Sequence, residues 1–252
     1  MKALYENHYL SDRDVANFAR QSFAKLAENF TEDQNNKLIQ FLARGMQSGD
    51  WEYLINRLLD LGATPGEPNE REKAKELATY LRKIPEHWVP FSHPHITLRM
   101  QAPIPIRVQA FKHKIGFTES EESRRYISTR PDYYLPEYFR AKAANVKQGS
   151  GDIHHSSNHW RDAYMVRCEK AIQMYEDMLA DGICPEQARF VLPQGCEVNW
   201  VWTGSLYAIA NFYNQRADSH AQKEIQELAR QVDEIIAPLF PVSWAALTRG
   251  EY

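Results

Sequence analysis

The chain has 252 residues, of which 43% are hydrophobic, 12% aromatic and 25% charged; this is the composition of a globular protein and excludes a disordered one. Thirty Lys and Arg against thirty-three Asp and Glu leave a net charge of −3, so the chain as a whole is no polycation built for nucleic acid. No apolar run nears the ~20 residues of a membrane span. The N-terminal stretch lacks the apolar core of a secretory signal. Cys168, Cys184 and Cys196 are too few and too scattered for a disulfide framework. A reducing, cytoplasmic setting is expected.

In chain order, residues 11–30 read as a helix, opened by a Ser11/Asp14 capping box and carried by Val15, Phe18, Ala19, Phe23 and Leu26. Residues 32–61 are helical by the spacing of Leu38, Ile39, Phe41 and Leu42, then Leu54, Ile55, Leu58 and Leu59, with a break at Gly49-Asp50. Residues 62–69, rich in Gly and Pro, form a loop, and a helix from about Glu70 to Lys83 ends at Pro85. Over 93–110, Ile96, Leu98 and Met100 alternate with Thr97, Arg99 and Gln101, which is strand period; Pro103 and Pro105 predict an edge strand or a strand end. Residues 126–150 read as irregular and mobile. A helix runs from about His159 to Ala180, and Pro185 starts and Pro193 stops another. Val198, Trp200 and Trp202 alternate as a strand, and helices follow from about Gly204 and over Gln222–Ile236. No repeat is visible. The balance predicts an α+β fold.

Two polar clusters stand out. The first, Phe111 to Tyr126, packs Lys112, His113, Lys114, Glu121, Ser123, Arg124 and Arg125 into sixteen residues. It is either a solvated charged loop or an anion site in which cations clamp phosphate and Ser adds a donor. The second, Asn211 to Gln222, gathers Arg216, Asp218, Ser219 and His220. Asp218 or Ser219 could cap the next helix, which leaves Arg216, His220 and Gln222 unexplained. Two further His groups are weaker. His155 and His159 are four apart but lack a third ligand, so a solvated loop outweighs a metal. His93 and His95 share a strand face and fit packing or hydrogen bonding better than a metal.

Together these clusters resemble the flavin-dependent thymidylate synthases. Lys112-His113-Lys114 stands where that family has Arg-His-Arg, and Glu121-Glu122-Ser123-Arg124-Arg125-Tyr126 completes its Glu-x-Ser-x-Arg-Tyr motif after a stretch one residue longer. Ala188-Arg189-Phe190-Val191-Leu192-Pro193, the Trp202-Thr203 pair, and Arg216 to Ile225 are similar to further motifs, as are Pro90-Phe91-Ser92-His93 and Ala19-Arg20-Gln21-Ser22-Phe23. Several motifs in order make a specific signal. The likeness covers roughly residues 12–25 and 70–252, and residues 27–66 stand out as an inserted helical pair.

The resemblance implies one domain over 1–252, an antiparallel sheet flanked by long helices, and a homotetramer with active sites shared between chains. It implies reductive methylation of dUMP to dTMP, with methylenetetrahydrofolate as carbon donor, NADPH as reductant and FAD as cofactor. A dUMP hydroxymethylase and a nucleotide-binding homologue without flavin are the alternatives. By match of position, Arg216 is the catalytic residue, set against the uracil ring. Gln109, Lys112, Glu121, Ser123, Arg124, Arg125, Arg189 and Arg216 are dUMP ligands. Ser22, His87, Val89, Lys112, His113, Lys114, Glu121, Ser205, Tyr207, Asn211 and His220 are FAD contacts. No metal, nucleic acid or membrane partner is implied, and the setting is the cytoplasm of a bacterium or of a virus-infected cell.

Overall fold

The computed structural model describes residues 1–21, 25–44, 56, 87–143 and 149–249. In chain order its elements are β1 (Lys2–Tyr9), α1 (Asp12–Gln21), α2 (Glu32–Ala43), α3 (Val89–Ser92), β2 (His95–Pro103), α4 (Ile104–Ala110), β3 (Phe117–Glu121), β4 (Arg140–Lys142) and β5 (Ser150–Ile153). Then come α5 (Ser157–Ala180), α6 (Pro185–Ala188), β6 (Glu197–Ser205), α7 (Leu206–Arg216), α8 (Lys223–Ile236) and α9 (Pro241–Thr248). The mixture of helix and antiparallel sheet is the α+β class read from the sequence. The chain groups into two units: 1–7, 97–203 and 215–232 form the first, and 8–96, 204–214 and 233–252 the second.

The first unit is built on the sheet β1-β2-β6-β3. Thr97 Oγ1 lies 3.0 Å from Thr203 Oγ1, and Ile104 N donates to Cys196 O. One number falls as the other rises, so β2 and β6 are antiparallel. Leu98, Met100, Trp200 and Trp202 are buried alternate residues on these strands. In α8, Ile225, Leu228, Ala229 and Val232 are fully buried at helical spacing. Each such large apolar side chain contributes about 1.5–3 kcal/mol. Arg140 on β4 and Glu224 on α8 form a pair only 16% and 11% exposed.

In the second unit, Thr31 and Gln34 form a complete capping box at the start of α2. Asp12, at the start of α1, accepts from Val242 N at 2.9 Å and Ser243 N at 3.0 Å, and so caps α9. Trp244 of α9 is fully buried and its indole donates to Asp233.

Several elements differ from the sequence reading. The helix expected over 11–30 ends at Gln21, and a single 3-10 turn follows at Ala27–Asn29. Of the Ser11/Asp14 box, only the Asp14 half is made: its carboxylate accepts from Ser11 N, while Asp14 N turns to Ser11 O. The strand expected over 93–110 stops at Pro103 and turns into α4, because Pro105 lies in the first helical turn, where no N–H is missed. Of the two readings of the prolines, the strand end is borne out and the edge is not, since β2 is interior in the sheet. Residues 126–150 are not wholly irregular: Arg140–Lys142 pairs antiparallel with Ser150–Ile153. Of the helical pair proposed near 27–66, α2 is its first member; the continuation to 61, the loop 62–69 and the helix 70–83 fall outside the described residues, save Asn56.

Candidate active site

In the first unit, α4 and the turn after it carry Arg107, Gln109, Lys112, His113 and Lys114. Arg216, the last residue of α7, reaches this turn. Its Nε donates to His113 Nε2 at 2.9 Å and its Nη2 to the Gln109 carbonyl at 3.4 Å. Burial lowers the Arg216 pKa. Burial, and then the Arg216 charge, push His113 from 6.5 down to about 4. The imidazole is therefore neutral near pH 7. Gln109 donates from Nε2 to Gln222 Oε1 at 2.6 Å, which ties α4 to the start of α8.

An open cleft of about 460 Å³ lies between α4, the end of β3 and the Arg189 turn. Arg107, Glu121, Ser123, Arg124 and Arg189 are among its lining residues. Arg107 Nη2 donates to Glu121 Oε1 at 2.9 Å. Burial raises the Glu121 pKa, and the Arg107 charge and hydrogen bond counter it. Arg107 Nε is buried without a hydrogen-bond partner. Arg124 donates to the Thr129 carbonyl and Arg189 Nε to the Glu186 carbonyl. Ser123 Oγ accepts from Arg125 N at 3.3 Å. Such a set of guanidinium groups with a hydroxyl is suited to a phosphate or carboxylate.

The structure thus brings together Glu121, Ser123, Arg124 and Arg189 at one cleft, and Gln109, His113 and Arg216 in one hydrogen-bonded group. Arg125 stands apart from the cleft lining and is ion-paired to Glu186. Lys112 is exposed, and Lys114 Nζ is 2.5 Å from Glu119. His220 is exposed, and its backbone N and Nδ1 both meet Asp218 Oδ1. Asp218 thus caps this turn and not the start of α8. Arg107 is the site residue the sequence did not offer. It belongs to no motif, and its only signal is a turn-and-a-half offset from Lys112 on a segment that reads as a strand.

The second unit holds His87, Val89, Ser205, Tyr207 and Asn211. His87 and Val89 are exposed, and the rings of Trp88 and Tyr207 lie 5.8 Å apart. Ser205 is buried and its Oγ accepts from Ala208 N, so the hydroxyl caps α7. Tyr207 and Asn211, four apart on α7, share one helix face. His93 stacks on Phe18, and its carbonyl meets His95 Nδ1 at 2.8 Å. Ser22 lies outside the described residues. Among the described residues no group of three His, Cys, Asp or Glu is placed to hold a metal, and no helix is long and apolar enough to cross a membrane.

Comparison with known proteins places this geometry. Residues 4–242 match the family model described as thymidylate synthase complementing protein. A flavin-dependent thymidylate synthase of Thermosipho africanus is 32% identical over 183 residues, which cover 72% of this chain and 79% of the relative. The synthase of Kosmotoga olearia is likewise 32% identical, over 72% of this chain and 79% of its own length. A solved structure, the UMP/dUMP methylase PolB of Streptomyces cacaoi bound with 5-Br dUMP, superposes with a TM-score of 0.74 at 23% identity, covering 97% of this chain and 93% of that one. The last likeness supports the fold. The match to the family model and the identity to its relatives decide kinship: the chain belongs to the thymidylate synthase complementing protein family, the flavin-dependent thymidylate synthases.

Proposed function

We propose that the protein converts dUMP to dTMP in the cytoplasm, with methylenetetrahydrofolate as carbon donor, NADPH as reductant and FAD as cofactor. The observation that carries this reading is Arg216: a half-buried guanidinium with no ion pair among the described residues, held by a neutral imidazole and a backbone carbonyl. An uncompensated cation in partial burial stabilises negative charge strongly. Set against uracil, it favours the ionised base and so raises the nucleophilicity of C5.

Ser123, Arg124 and Arg189, with Gln109, Lys112, Arg125 and Glu121, are the proposed dUMP ligands. Arg107 is added to them as a phosphate ligand, because it lines the same cleft. The donor set also fits a flavin dinucleotide: Lys112 and Lys114 offer two ammonium groups on one exposed turn, as a pyrophosphate requires. The other FAD contacts that the family resemblance implies, His113, His220 and Glu121 in the first unit and His87, Val89, Ser205, Tyr207 and Asn211 in the second, with Ser22, belong to this reading. When bound, FAD supplies the redox chemistry. The protein's own part is to orient dUMP, to fix the charge at Arg216 and to keep His113 neutral. The homotetramer belongs to this reading as well. Its support is α5, which leaves Trp160, Val166 and Met174 55%, 46% and 53% exposed, and Phe190, which is 79% exposed beside Arg189.

The test is the visible absorption spectrum of the purified protein, before and after addition of FAD, followed by turnover of dUMP with mass analysis of the product. Flavin bands and a gain of one methyl group are expected. A colourless protein that refuses FAD would refute the reading, and a hydroxymethyl product would move it to the hydroxymethylase.

A further inference from the structure

Arg216 and His113 fall to different ligands in the reading above, the arginine to the nucleotide and the histidine to the flavin. In the structure they hold each other. The Arg216 Nε–H points at His113 Nε2 across 2.9 Å. A guanidinium nitrogen has no lone pair to offer, so only the ring nitrogen can accept. An imidazolium, or the tautomer protonated at Nε2, would set donor against donor. Arg216 meets the ring from α7, so its charge, together with burial, opposes protonation.

We infer that His113 is a positioning residue for Arg216, holding the guanidinium as a neutral imidazole that carries its proton on Nδ1 and accepts through Nε2. The second anchor is the Gln109 carbonyl at the end of α4, which also accepts from Lys112 N and lies at the negative end of the helix dipole. Two anchors on one rigid turn fix both the place and the plane of the guanidinium. They spend its Nε–H and one N–H of Nη2, and leave both donors of Nη1 and the second of Nη2 for a ligand. Neither anchor carries formal charge, so the cation is oriented without being neutralised. A carboxylate in the place of His113 would hold Arg216 equally well and cancel the charge that the chemistry uses.

The protonation state is read directly from a long-range proton–nitrogen correlation spectrum of the isotope-labelled full-length protein at neutral pH. The pattern of a neutral ring protonated at Nδ1 is expected for His113. An imidazolium, or a ring protonated at Nε2, would overturn the inference. This measurement needs no variant and no substrate. A wild-type protein that binds no dUMP would therefore count against the proposed function, on which only the role in turnover rests. For that role, turnover is compared per bound flavin. His113→Phe, which keeps a ring but removes the acceptor, is expected to lower kcat about tenfold to a hundredfold. His113→Gln, whose amide oxygen can accept in place of Nε2, is expected to lose at least about threefold less per bound flavin than His113→Phe. Equal losses in the two variants would show that the acceptor is not what matters.

Discussion

Two arginines of the first unit are partly or largely buried, and they are treated in opposite ways. Arg140 is neutralised: its Nη2 meets both Glu224 oxygens at 2.7 and 2.9 Å, and its Nε meets Ser150 Oγ at 2.7 Å. Burial alone would raise the Glu224 pKa, but hydrogen bonds from Arg140, Gln222 and the backbone, together with the Arg140 charge, hold the carboxyl below its usual range. Arg216 has comparable need of a partner and receives only a neutral ring and a carbonyl. A neutralised cation is a fastener. A cation held by uncharged acceptors keeps its field and so retains something to do.

The contrast can be broken from either side. The largest effect is expected at Arg140→Met, which strands Glu224 in the interior and should cost about 3–5 kcal/mol of stability. Urea unfolding checks it, and turnover per folded molecule should stay near wild type. Arg216→Ala should lower kcat about a hundredfold to a thousandfold, the toll of removing one preorganised electrostatic donor. Steady-state kinetics on protein with its flavin content confirmed would show this, and wild-type turnover would remove Arg216 from the catalytic role. Arg107→Lys keeps a charge beside Glu121 but loses the fork. The dissociation constant of dUMP measured by calorimetry should rise about fivefold, while that of deoxyuridine, which lacks the phosphate, is unchanged. Asp12→Ala strips the cap from α9 and should cost about 1 kcal/mol in thermal or urea unfolding, with no change in nucleotide affinity.

The smallest signal concerns acid. His113 titrates near 4 in the fold and near 6.5 when free. Between those values the unfolded chain binds a proton that the folded chain refuses, so stability rises with pH across this window and levels off above it. In His113→Phe the same stretch of the urea-midpoint curve should flatten.

Much of this architecture was legible in the sequence wherever one face of an element is buried. The alternation around Trp200 and Trp202 marks β6, and the spacing of Ile225, Leu228 and Val232 marks α8. β1 was not legible, because seven of its eight residues are exposed or nearly so and only Ala3 is buried. β3 is five residues long with one apolar member, Phe117, whose ring stacks on Trp202 at 4.0 Å. Its signal lies in a partner 85 positions away. α4 was misread because Ile104 and Ile106 mimic a strand, while the prolines around them that suggested a break are those that open a helix. At the site, motif resemblance brought out Gln109, Glu121, Ser123, Arg189 and Arg216. It could not bring out Arg107, whose role depends on a helix face, nor the bond between His113 and Arg216, which spans 103 positions.

The strand order also bears on how the chain is made. β1 must wait for β2, and β2 for β6, with roughly ninety residues emerging between each pair. A ribosome will therefore have released most of the polypeptide before the sheet can close, and the early β1 segment, with Leu4, Tyr5 and Tyr9 unshielded, is left as an unpaired edge meanwhile. Assembly should be slow for a chain so rich in helix, because the rate is set by distant pairings and not by the helices that form between them.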